Sequence, residues 1–308
     1  MVLLRARAPR PLPSPHGEEI LADYVAAEDA LRAFTDRNFG RMCAICARWT
    51  LFAARVNEQC ASGEPAGEVG AGAEGAPAGS SAGGRVRWRL QSWVTNCCNA
   101  NHAIESMSEA SLAGIVASRE EGRQWWLKVK QSAGAPCAAL TDQGCALKRG
   151  RPELCNRYFC EAVRDYLWAL GGEQDGPRLA ARLDELQRRW ARLYATYQQV
   201  VLGLPARVLA SQPAPHGEMG SARTLPRIAV RARQRLRREA GWDEFFCFLA
   251  AFDRELARFA RPVSVDEMTR RFFKVNGDRS LYEPFFAREL AAIGGQIRQP
   301  ETAPEART

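Results

Sequence analysis

Ten cysteines are the residues of this 308-residue chain with the clearest chemical potential. Six of them form one constellation: Cys97, Cys98, Cys137, Cys145, Cys155 and Cys160. Thiolates bind zinc tetrahedrally or iron in clusters, and a closed site takes ligands from at least two separate segments. In a long chain without an export signal, clustered cysteines more often bind metal or do redox work than form disulfides. The sequence therefore predicts a site for zinc or iron, with an iron–sulfur cluster as one form of it.

The expected primary ligands come from three segments. Cys155 follows Pro152, which suits the first position of a helix, so Cys155 is expected in a first turn whose dipole favours a thiolate. Neighbouring side chains of an extended segment point to opposite faces, so one thiol of Cys97-Cys98 is expected to face the metal, and we expect it to be that of Cys98. The resulting four-sulfur set is Cys98, Cys137, Cys145 and Cys155.

Three further cysteines are candidate ligands with an open alternative. On an unbroken helix, Cys155 and Cys160 would point about 140° apart. Cys160 is therefore either a ligand on a helix distorted at Phe159 or a packed side chain. Cys43 and Cys46 form a C-x-x-C whose thiols lie on nearly one face of a helix. They either supply missing ligands or are small residues on the face of that helix.

The segment PCAALTDQGCALKRGRPELCNRYFC resembles the second half of the YkgJ-like cysteine-cluster family, a family of zinc- or iron-chelating domains. The matching positions are Cys137, Leu140, Cys145, Arg151, Pro152, Cys155 and Cys160. Cys97-Cys98, followed by Ser108-Glu109, is similar to the first half, so the resemblance covers about residues 90–165. The chain departs from the family where cysteine, arginine and proline are expected, at Val94, Asn156 and Phe159 respectively. The resemblance implies that the cysteine segment chelates a metal.

Five parts of the chain are distinguished by composition. They are a disordered tail (1–16), N-terminal helices (17–60), a flexible low-complexity insert (61–84), the cysteine-cluster metal-binding domain (85–172) and a helical C-terminal region (173–308). The insert has almost no large apolar side chains with which to offset its ordering entropy. Asn38-Phe39-Gly40 is expected to divide the N-terminal helices. The expected fold class is mainly α, with an irregular helical cysteine-cluster domain and little or no sheet.

Apolar periodicity predicts a series of helices in the C-terminal region. The expected spans are 177–202, about 226–239, 242–260, 264–273 and 281–293. Gly171-Gly172 is expected to end the helix that precedes them, and Ser264 with Glu267 has the spacing of a capping box. Cys247 lies in the apolar run WDEFFCFLAAF and is expected to be a buried small side chain.

Charge and hydropathy limit the partners that we expect. The net charge is +8, and seven arginines lie between Arg223 and Arg238. Apolar residues alternate through this stretch, which favours a solvated amphipathic helix over a nucleic-acid site. No run reaches the ~18 apolar residues of a membrane span, and the first residues lack a secretory h-region. We therefore expect a cytoplasmic protein without a membrane span.

Three hypotheses for function follow. The first is a metal-binding module whose C-terminal helices dock a protein partner or hold the site closed. The second is an iron–sulfur-dependent enzyme, because flagellin lysine N-methylases are similar to the YkgJ-like family in their cysteine cluster. The third is an arginine-rich nucleic-acid binder with a structural metal. No P-loop, G-x-G-x-x-G, H-E-x-x-H or G-x-S-x-G spacing and no methyl-donor site is recognised, which argues against an enzyme and favours the first hypothesis.

Overall fold

The computed structural model of this protein describes residues 15–62, 90–92, 140–145, 155–156, 158–208 and 224–298. Its helices are α1 (Pro15–Ser62), α2 (Glu161–Val208), α3 (Thr224–Glu239), α4 (Trp242–Leu256), a π-helix (Glu267–Phe272) and α5 (Arg279–Ala292). Its strands are β1 (Gln91–Ser92), β2 (Leu140–Thr141), β3 (Gly144–Cys145) and β4 (Val275–Asn276). β1 pairs antiparallel with β4, and β2 with β3. The protein is mainly helical, as predicted, with two short two-stranded sheets in the described residues.

Several predictions concern residues outside these ranges. They include the tail as far as residue 14, residues 63–84 of the insert, and Cys97, Cys98 and Cys137. No helix in the described ranges is both long enough and apolar enough to cross a membrane.

α1 is one continuous helix where the sequence predicts two, so the expected division at Asn38-Phe39-Gly40 is wrong. Asn38 and Phe39 are each only 1% exposed. The Asn38 side chain donates to Asp253 Oδ1 at 2.7 Å and accepts from Arg298 Nε at 3.1 Å. A glycine in a helix costs only about 1 kcal/mol, which the burial of Phe39 and these contacts outweigh.

The hydrophobic core joins α1 to the C-terminal helices. One cluster of buried residues draws on α1, α2, α3, α4, the π-helix and α5. Near its centre, the fully buried Trp190 of α2 lies 5.6 Å from Tyr24 of α1 and 5.9 Å from Phe245 of α4, measured between ring centroids. The N-terminal helix therefore packs in the same core as the C-terminal region.

The C-terminal predictions are largely confirmed. α3, α4 and α5 lie within a few residues of the expected spans, although the stretch expected at 264–273 contains six residues of π-helix. The capping box forms, because Ser264 N donates to Glu267 Oε2 and Glu267 N donates to Ser264 Oγ, both at 3.2 Å. The prediction of a buried Cys247 is wrong, since this thiol is exposed. It lies about 200° around α4 from the buried Phe245, because an apolar run longer than one stripe cannot face the core throughout.

Gly171-Gly172 ends one helix and begins the next, as the sequence predicts, because α2 consists of two helices that meet at a kink at Gly172. Gly172 has φ 62° and ψ −159°, a conformation that is almost exclusive to glycine. A β-carbon on Gly171 would lie 2.5 Å from the backbone nitrogen of Gly176. The two glycines therefore let the chain turn sharply between the two helices of α2.

We expect Gly171→Ala to lower the free energy of unfolding by about 2–3 kcal/mol, because the added methyl group meets backbone that cannot move aside. Gly40→Ala in α1 is the matched control, since its nearest neighbouring atom would lie at 3.8 Å. This control should raise the free energy of unfolding by about 0.5–1 kcal/mol. Urea denaturation measures both values, and an unchanged Gly171→Ala would contradict the tight approach at the kink.

Candidate metal centre

Five of the candidate ligands lie in the described residues. They are Cys43, Cys46, Cys145, Cys155 and Cys160, and each is half-buried. The remaining candidates, Cys97, Cys98 and Cys137, lie outside the described residues.

The C-x-x-C lies on a face of α1 that another cysteine segment crosses. Phe39 precedes Cys43 by four residues and Cys46 by seven, so all three lie along one side of the helix. The ring of Phe39 lies 6.0 Å from the ring of Phe159, measured between centroids. Phe159 directly precedes Cys160, and Cys43, Cys46 and Cys160 all pack against the core. Cys160 is thus held beside the turn of α1 that precedes the C-x-x-C.

Cys145 is carried by the β2–β3 hairpin, which packs against α1. The register places Cys145 opposite Leu140, and Gly144 at φ 100° closes the turn. Arg48 Nη1 donates to the carbonyl oxygen of Asp142 in this turn at 3.0 Å. Since Arg48 follows Cys46 by two residues, the hairpin docks at the C-terminal side of the C-x-x-C.

Arg48 is itself fixed by the C-terminal region. Its Nε donates to Glu289 Oε2 of α5 at 2.7 Å, and Glu289 is buried. The neighbouring Trp49 packs against Phe285 and Phe286 of α5, with ring centroids 5.5 and 5.0 Å apart. α5 therefore fixes the position of the Arg48 guanidinium group, and this group in turn binds the hairpin.

The segment that carries Cys155 also docks on α1. Asn156 Nδ2 donates to Glu28 Oε1 at 2.9 Å, and Glu28 is only 2% exposed. From Glu28 to Arg48 the helix advances about 30 Å, at 1.5 Å per residue. All five described candidate ligands thus lie on or beside this stretch of α1, with Cys155 toward one end and Cys145 toward the other.

Sequence reasoning missed the residues that make these attachments. Glu28, Arg48, Asn156 and Glu289 are ordinary polar residues, and their partners are 94 or more residues away in sequence. The one related signal was the departure from the family pattern at Asn156, whose amide binds the buried carboxylate. Sequence reasoning also treated α1 as a part separate from the cysteine segment, whereas it is the support against which that segment lies.

The ligand set itself stays a prediction. Within the described part of the chain, no three His, Cys, Asp or Glu side chains are grouped so that they could hold a metal ion. The set expected from the sequence includes Cys98 and Cys137, which belong to the part outside that description. Its two described members, Cys145 and Cys155, belong to segments that are anchored about 30 Å apart along α1, at Arg48 and Glu28.

No protein-family model matches this chain, and no curated protein or solved structure does either. The resemblance to the YkgJ-like family therefore rests on the residue spacing between Cys137 and Cys160 and on the weaker match at Cys97-Cys98. The fold and the site together define a class: a mainly helical protein with half-buried cysteines along one long helix.

Proposed function

We propose that this protein is a metal-binding protein that holds zinc or an iron–sulfur cluster through cysteine thiolates. The observation that carries the proposal is the docking of the Cys145 hairpin beside the C-x-x-C of α1, with Phe159, the neighbour of Cys160, packed on the preceding turn. Arg48, two residues after Cys46, attaches the hairpin of Cys145, whereas Glu28 attaches the segment of Cys155 about 22 Å before Cys43 along α1. A reducing cytoplasm, the location expected from the sequence, would keep these thiols available to a metal.

The chemistry of the C-x-x-C supports a site at this position. Residues three apart on a helix have β-carbons about 5–6 Å apart, so the thiols of Cys43 and Cys46 can converge on one ion. A closed tetrahedral site needs two further ligands from another segment, with Zn–S distances near ~2.3 Å. Those ligands would come from the remaining candidates, which are Cys97, Cys98, Cys137, Cys145, Cys155 and Cys160.

The C-terminal helices have a role in this proposal. Of the two roles expected from the sequence, holding the site closed is favoured, because Glu289 of α5 binds the same Arg48 that binds the hairpin. Trp49, one residue further, packs against α5. The C-terminal region would thus position the loop cysteines rather than supply ligands.

Metal analysis of protein purified without oxygen tests the proposal. We expect stoichiometric zinc or iron by mass spectrometry of the metal content, and protection of the ligand thiols from a thiol reagent until a chelator is added. A brown protein with visible absorption would identify an iron–sulfur cluster, and a colourless protein with zinc would identify a structural zinc site. A folded, metal-free protein whose thiols all react at once, before and after reconstitution, would refute the proposal.

A further inference from the structure

The arginine-rich helix α3 uses only some of its arginines to pack against the protein. Arg233 Nε donates to Asp23 Oδ2 of α1 at 2.7 Å, and the guanidinium group of Arg237 lies 4.8 Å from the ring centroid of Trp242. Leu236 lies buried between them in sequence. These residues form the inward stripe of an amphipathic helix, as the sequence predicts.

The outward face of α3 joins α2 in a surface that we call the arginine groove. Its arginines are Arg189, Arg192, Arg231, Arg235 and Arg238. Two adjoining open depressions form it, one along α3 and one between α2, α3 and the start of α4, and they share Arg238 and Glu239. The acidic residues that line the groove are Glu239 and Glu244, so positive charge predominates.

Two of the five arginines make local ion pairs. Arg189 Nε lies 2.8 Å from Glu185 Oε1, and Arg235 Nε donates to Glu239 Oε1 at 2.5 Å. The hydrogen bond with Glu239 raises the pKa of Arg235 above its ordinary value.

The other three arginines of the groove are available to bind an external ligand. Arg192, Arg231 and Arg238 are exposed, and none makes an ion pair with a side chain in the described ranges. Arg231 and Arg238 lie about 10.5 Å apart along α3, and Arg192 of α2 lines the same depression as Arg238. An array of this kind suits a ligand that carries several negative charges in a row.

A nucleic acid fits this array better than a membrane does. Guanidinium groups bind phosphate oxygens through two parallel hydrogen bonds, and a duplex presents one negative charge per ~1.7 Å of its axis. Membrane adsorption through a few basic residues, at about 1 kcal/mol each, usually needs an apolar side chain that inserts as well. The groove lacks one, because among the described residues the exposed large hydrophobic side chain is Trp168, which does not line it.

We propose that the arginine groove binds the phosphate backbone of a nucleic acid, independently of its base sequence. The groove offers guanidinium groups for phosphates, while the neighbouring Trp242 is buried and cannot stack on a base. This inference goes beyond the metal-binding function and does not depend on it.

The test compares two triple variants of the full chain by fluorescence anisotropy with labelled single-stranded and duplex DNA of random sequence. R192A/R231A/R238A removes the unpaired arginines of the groove. R55A/R254A/R258A is the matched control, because these arginines are exposed, make no ion pair with a described residue and do not line the groove. Each variant loses the same charge. We expect the groove variant to bind DNA on the order of 30-fold more weakly than the parent protein, and the control variant less than about threefold more weakly. The slope of the logarithm of the binding constant against the logarithm of the salt concentration should fall, in the groove variant, by the equivalent of about three phosphate contacts.

Three results would overturn the proposal. They are no binding by the parent protein at low salt, equal weakening in both variants, and binding to phosphatidylserine vesicles in place of either DNA. Circular dichroism checks that the variants are folded. Arg231→Glu and Arg238→Glu, each made alone, provide a second test, and each should weaken binding more than Arg258→Glu.

Discussion

A Cys145→Ser variant is expected to lose the bound metal, whereas a Cys247→Ser variant is expected to retain it. Cys145 is half-buried in a hairpin that docks beside the C-x-x-C of α1, and Cys247 is exposed on α4. Serine is a poor substitute for a thiolate ligand. Loss of a residue that only hydrogen-bonds to a metal ligand lowers metal affinity by about 10- to 100-fold. Loss of the ligand itself should therefore lower the affinity by more than about 100-fold.

The metal content of both variants, measured after identical purification without oxygen, gives the result. Because binding energy at a structural site is also folding energy, Cys145→Ser should melt at a lower temperature than Cys247→Ser. Equal metal content in the two variants would remove Cys145 from the ligand set.

The same measurement of metal content shows which of the adjacent residues Cys97 and Cys98 is a metal ligand. We expect Cys98→Ser to release metal and Cys97→Ser to retain most of it, because neighbouring side chains in an extended segment face opposite ways. The reverse result would exchange the two assignments. Retention by both variants would show that the pair does not contribute a ligand.

Trp190→Ala is expected to lower the free energy of unfolding by about 3–5 kcal/mol, the usual cost of removing a large aromatic side chain from a core. Trp190 is fully buried and lies between Tyr24 of α1 and Phe245 of α4. The cavity would therefore form where three helices meet. Trp168→Ala is the matched control in the part of α2 before the kink, since Trp168 is 41% exposed, and it should cost less than about 1 kcal/mol.

Urea denaturation of both variants and of Trp190→Phe completes this test. The indole N–H of Trp190 is buried without a hydrogen-bond partner in the described structure. Trp190→Phe consequently loses ring volume but no hydrogen bond, and we expect it to cost about half as much as Trp190→Ala. A cost for Trp190→Ala no greater than that of Trp168→Ala would contradict a core shared by α1, α2 and α4.

The amino-acid sequence by itself determined the elements that depend on near neighbours. The helices α3, α4 and α5, the Ser264–Glu267 capping box and the sharp turn at Gly171-Gly172 all follow from periodicity, side-chain capping and glycine conformations. Each of these signals is contained within a few residues, so it does not depend on tertiary contacts with the rest of the chain. The cysteine types and spacing likewise define the chemistry that we propose.

Tertiary structure decided how those elements pack against one another and which side chains are buried. α1 continues through Asn38-Phe39-Gly40 because contacts with Asp253 and Arg298 outweigh a weak local signal. Cys247 faces solvent because only one stripe of α4 can meet the core. The attachments of Glu28 to Asn156 and of Arg48 to Asp142 join residues 128 and 94 positions apart. Periodicity can show that a helix has an apolar face, but which segment covers that face is decided only when the whole chain packs.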